Sequence, residues 1–116
     1  MARSTRGRGR RVRRRPDGIQ KIEAALRFFM ERLPGSDLLS VVWDSRHADG
    51  CHVRLHAGEV SPDVAALFLA RKFHACGFTA HLRAVDGHVQ GWVEATPLVA
   101  RFDPWLKRII ERKPFA

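Results

Sequence analysis

The 116-residue sequence contains no tyrosine and only two cysteines, Cys51 and Cys76. Without tyrosine, a tyrosine-based nickase or recombinase is excluded outright, because its covalent nucleophile is missing. The two cysteines form no CxxC pair, and a single disulfide is thin support for a secreted scaffold, so reduced thiols are the expectation. No run approaches the roughly 20 apolar residues of a membrane span. The basic N-terminus is followed by no apolar stretch of the kind a secretory signal needs. P-loop, GxGxxG, HExxH and HNH spacings are missing, as is any Cys/His zinc pattern. No nucleophile stands beside a base in a recognisable arrangement. A non-enzymatic protein without cofactor or metal is therefore expected.

Acid is the next absence. Residues 1–15, MARSTRGRGRRVRRR, hold no Asp or Glu and eight arginines: Arg3, Arg6, Arg8, Arg10, Arg11, Arg13, Arg14 and Arg15. The whole chain has 21 Lys+Arg and 12 Asp+Glu, so residues 16–116 keep 13 basic and 12 acidic residues. A nearly neutral body carries a polycationic arm. Like charges repel and Val12 is the arm's main apolar side chain, so residues 1–15 are expected to be disordered alone. Residues 16–116 are long enough to bury one core and form a single compact domain.

Along that domain the punctuation is regular. Pro16-Asp17-Gly18 closes the arm, with Asp17 as the expected cap of a first helix. Ile19, Ile22, Leu26, Phe29 and Leu33 fall at spacings of three and four, an apolar helical stripe that Phe28 and Met30 widen. Pro34-Gly35 ends it. Leu38 to Arg46 and Cys51 to Ala57 read as a hairpin, turned at Asp49-Gly50 with Gly supplying positive φ. Ser61-Pro62-Asp63 opens a second helix, running to about Ala75 with Val64, Leu67, Phe68 and Phe73 apolar. Phe78 to Val85 and His88 to Ala95 form a second hairpin about Asp86-Gly87. Asp103-Pro104 starts a last helix, with Trp105, Leu106, Ile109 and Ile110 on its apolar side.

The order αββαββα predicts an α+β fold: one four-stranded antiparallel sheet with helices on one face. It matches a circular permutation of the ferredoxin-like fold. It also resembles, in element order alone, the LAGLIDADG homing endonucleases. The first helix lacks that family's small-residue and terminal acidic motif, so the resemblance implies no residue role here.

Alternation divides the strands into two faces. Leu39, Val41, Trp43, Cys51, Val53, Leu55, Phe78, Ala80, Leu82, Ala84, Val89, Gly91 and Val93 form one, and must meet the helices. Ser40, Val42, Asp44, His52, Arg54, His56, Thr79, His81, Arg83, Gln90, Trp92 and Glu94 form the other. A polar second face is ordinary for an antiparallel sheet. Arg54, Arg83 and Trp92 make it a candidate surface for nucleic-acid bases, which stack on aromatics beside arginine. His52 and His56 stand roughly 13 Å apart along a strand, too far to share one metal.

The eight arm arginines, always charged and able to grip phosphate bidentately, point to nucleic acid, DNA or RNA. The expected function is a small nucleic-acid-binding accessory protein. Its setting would be cytoplasmic or associated with the nucleoid or nucleus. The competing reading is a protein-interaction module, an inhibitor or an assembly or ribonucleoprotein subunit, with an incidental basic tail. A membrane role is not expected, because polybasic anchors need a lipid or amphipathic partner that the arm does not offer.

Overall fold

The computed structural model describes residues 16–111. The expectations for the arm, with its eight arginines, fall outside these residues. The elements are α1 (Asp17–Met30), β1 (Asp37–Val42), β2 (Gly50–His56), α2 (Pro62–Ala75), β3 (Phe78–Val85), β4 (His88–Ala95), a 3₁₀ segment (Pro97–Phe102) and α3 (Asp103–Glu111). The strands form one antiparallel sheet in the order β1-β2-β4-β3, with the helices packed on it. The expected α+β class is observed.

Local chemistry accounts for most boundaries. Ser61 caps α2, its Oγ accepting from the Val64 amide at 3.3 Å, with Pro62 in the first helical position. This satisfies one of the amides that a helix start leaves without a partner. Asp86 and Gly87 both take positive φ, the left-handed pair that closes a tight hairpin between β3 and β4. At α1 the expected cap is displaced by one residue. Pro16 occupies the cap position without a side-chain bond, and Asp17 lies in the first turn, where its charge favours the helix dipole.

The core is the space between the helices and the inward sheet face. The stripe Ile19, Ile22, Leu26, Phe29 and Leu33 is buried throughout. Beneath it Val53, Leu55, Val89 and Val93 are buried on β2 and β4. Aromatic rings tie the layers together. Phe29 meets Phe73 at 5.2 Å and Trp105 at 6.2 Å, and Phe73 meets Phe78 at 5.3 Å. One ring thus joins α1, α2 and α3, and a second reaches β3. Outside this core, Lys21 on α1 donates to Asp103 on α3 at 2.8 Å. That bond, ahead of the weaker effect of Asp17, holds the Lys21 ammonium above its usual pKa despite partial desolvation.

Several expectations are corrected. Alternation puts Leu39 on the core face, but it is 44% exposed while Leu38 packs against the core. The pairing of β1 with β2 slips between Leu38 and Ser40, so an irregularity in the edge strand rotates Leu39 out. The strand also ends at Val42 rather than Arg46, with Arg46 held to Asp44 in the connecting loop. On α2 the small residues Ala65 and Ala66 face inward with Leu69 and Phe73, leaving Val64 and Leu67 exposed. On α3, Ile110 is likewise exposed while Leu106 and Ile109 are buried. The 3₁₀ segment before α3 carries no apolar periodicity and was not expected. Thr96 starts it by accepting from the Leu98 amide.

Leu26→Ala and Phe29→Ala are each expected to cost about 2–5 kcal/mol of unfolding free energy in denaturant titration, as truncations of fully packed side chains do. Neutral outcomes for both would contradict this placement of α1.

Candidate nucleic-acid interface

The register of the sheet assembles the outward residues into rows. Arg54 on β2 pairs with Gln90 on β4, and Gln90 pairs with Arg83 on β3. Ser40 on β1 pairs with Arg54 and extends that row to the sheet edge. The next row runs Val42, His52, Trp92, His81. In-register neighbours on adjacent strands lie about 4.8 Å apart, so the two arginines flank Gln90 across about 10 Å. Trp92 follows Gln90 by about 6.6 Å along β4. Residues remote in sequence therefore share one patch because antiparallel pairing fixes their neighbours.

The patch is open. Ser40, Val42, His52, Arg54, Arg83 and Gln90, with Val53 and Gly91, line a shallow depression of about 280 Å³. Arg54 and Arg83 are exposed, and among the described residues neither forms an ion pair or hydrogen bond. The acids nearby are already engaged. Asp44 pairs with Arg46 at 3.0 Å. The Arg46 side chain, then its backbone amide, holds the Asp44 carboxyl below its usual pKa. The Glu94 carboxylate accepts from Trp92 Nε1 at 3.0 Å. Two arginines thus remain with donors facing solvent.

Trp92 is half-buried, which refines the expectation of an open stacking surface. Its indole lies over Gly50, where any Cβ would run into the ring. Gly50 was expected to supply positive φ to a turn. It instead begins β2 without a positive φ, and its role is to leave room for the indole. His52 meets the indole edge-on at 5.0 Å and His47 at 5.9 Å. With Nε1 bonded to Glu94, the ring is held in place.

Arg54, Arg83 and Trp92 are brought together on adjoining rows as the alternation expected. The eight arm arginines lie outside the described residues. Gln90, His52 and Ser40 fall on this face by alternation, but only register shows Gln90 between the arginines, Ser40 beside Arg54 and His52 beside Trp92. His47 was missed, since a loop residue gives no periodic signal. The remaining candidates carry less. Cys51 and Cys76 form no disulfide, and burial pushes the Cys76 thiol pKa up. Among the described residues, no three His, Cys, Asp or Glu side chains gather as a metal site. Among the same residues, no helix is long and apolar enough to cross a membrane. Comparison with known proteins returns no match, whether with family models, curated proteins or solved structures.

Gly50→Ala is expected to unseat the indole. The Trp92 Nε1–H resonance should move as its bond to Glu94 is lost, with about 1–3 kcal/mol of destabilisation from overpacking. An unmoved resonance would contradict the seating of Trp92 on Gly50.

Proposed function

We propose that the protein binds nucleic acid as a non-enzymatic accessory factor, its arm on phosphates and its open sheet face on bases and sugar-phosphate. The observation that carries this reading is the row Arg54–Gln90–Arg83 beside Trp92, with both arginines unpaired among the described residues. The body as a whole is nearly neutral, so the cationic character of this face comes from placement and not from composition. Arginine offers a planar fork to phosphate or to a guanine edge. Glutamine supplies a donor and an acceptor for a base edge. A fixed indole supplies stacking.

The division of labour follows from the physics of each contact. Arm arginines neutralise phosphates by sequence-independent charge, with counterion release and strong salt dependence. Stacking on Trp92 requires an unpaired base, so the sheet face favours single strands.

One observation supports the protein-interaction reading. Val64 and Leu67 are 57% and 58% exposed one turn apart on α2, away from the polar face. Binding titrations separate the two readings.

Replacing Arg10, Arg11 and Arg13 by alanine should weaken single- and double-stranded ligands alike and reduce the log–log salt slope by up to about three units. Trp92→Ala should weaken single strands selectively, by about 1–3 kcal/mol. Arg54→Ala and Arg83→Ala should fall between these patterns. Fluorescence anisotropy on matched oligonucleotides reads all three. A folded Trp92→Ala protein that binds like wild type removes base stacking, and arm variants that also bind like wild type favour the protein-interaction reading.

A further inference from the structure

Helix α2 keeps two of its larger apolar side chains in water. Its inward face carries Ala65, Ala66, Leu69 and Phe73, while Val64 and Leu67 are 57% and 58% exposed. Val64, Leu67 and Arg71 stand three and four residues apart, so they form one stripe along the helix. That stripe lies opposite the face that packs on the sheet. Asp63 flanks its N-terminal end, and Asp63 and Arg71 are both exposed. Among the described residues, neither side chain forms an ion pair or hydrogen bond. Lys72 beside them lies over the Phe68 ring at 5.6 Å.

We propose that this stripe joins two copies of the chain, with α2 packed antiparallel against α2 of a second copy about a two-fold axis at Leu67.

A two-fold contact must be complementary to itself, and this stripe is. Asp63 and Arg71 each lie four residues from Leu67, on opposite sides of it. Antiparallel pairing centred on Leu67 sets Asp63 opposite the partner's Arg71, and Arg71 opposite the partner's Asp63. Leu67 meets the partner's Leu67, and Val64 lies against the aliphatic stem of the partner's Arg71. Parallel pairing would oppose acid to acid and base to base. The helix dipoles favour the antiparallel arrangement as well.

The chain's own ends offer a poorer occupant. Residues 1–15 hold eight arginines and no acid, and residues 112–116 hold Arg112 and Lys113 and no acid. Neither segment brings a carboxylate to Arg71. A second copy brings one from Asp63.

Because the stripe points away from the sheet, pairing leaves both polar faces outermost. It uses none of Arg54, Arg83 or Trp92, so it stands whatever those faces bind. Contact through one helix face is at the low end of specific interfaces, below about 1,200 Å². The dimer is therefore weak, with a dissociation constant on the order of 10–100 μM.

Sedimentation equilibrium of the nuclease-treated full chain tests this, from about 5 to about 500 μM. Salt at about 0.3 M screens the repulsion between the two arms. The expected result is a monomer–dimer equilibrium within that range. Leu67→Glu should weaken it by about 30-fold or more, as loss of a central contact does. Arg71→Glu should weaken it by about 10-fold or more, by setting acid against the partner's Asp63. Asp63→Lys combined with Arg71→Glu should return the affinity to within about threefold of wild type, because the pairs are restored with their signs exchanged. A variant that has merely lost its fold would not recover in this way. A chain that stays monomeric throughout overturns the proposal and leaves the stripe to a different protein. A dimer that Leu67→Glu does not weaken overturns it too, since its contact lies elsewhere. A double variant no tighter than Arg71→Glu alone overturns the antiparallel seating.

Discussion

The register of β2 against β4 is the constraint on which the rest depends. Val53, Leu55, Val89 and Val93 from these two strands are buried under the helices. Each such side chain contributes about 1.5–3 kcal/mol by leaving water. Because side chains alternate, a slip of one residue would turn inward either Arg54, if β2 moved, or Gln90 and Trp92, if β4 moved. An arginine buried without a partner costs several kcal/mol, so that alternative is closed. The outward rows follow from the core. The same burial that stabilises the fold fixes Arg54, Gln90 and Arg83 side by side.

How much of this could be read from the chain depended on how local the determining physics was. The bounds of β3 and β4 were legible to the residue, because a tight Asp86-Gly87 turn and strict alternation fix them. The start of α2 was legible from Ser61 and Pro62 for the same reason. Leu39 was misplaced because an edge-strand irregularity breaks the two-residue period without any sequence mark. Which apolar residues of α2 are buried was not legible, because Ala65 and Ala66 face inward with Leu69 and Phe73 while the larger Val64 and Leu67 stay exposed. The role of Gly50 was hidden because it is set by a tryptophan more than forty residues away. At the candidate site the face was legible and the neighbours were not.

The chain separates two kinds of charge. In the arm, cationic character is a matter of composition: eight arginines and no acid. On the sheet it is a matter of arrangement, since the body has almost equal numbers of acids and bases. Asp44 and Glu94 are occupied by Arg46 and Trp92, and the free arginines stand at the centre of the face. In the proposed function the first kind supplies attraction that salt weakens. The second supplies positioned contacts.

The central claim is that the polar sheet face, and not only the arm, meets the ligand. Titrating the isotope-labelled full chain with an oligothymidylate and following its amide and indole resonances tests this directly. The account predicts shifts at Arg54, Arg83, Gln90 and the Trp92 indole, with α2 and its exposed Val64 and Leu67 unmoved. Shifts confined to residues 1–15, or centred on Val64 and Leu67, would contradict it.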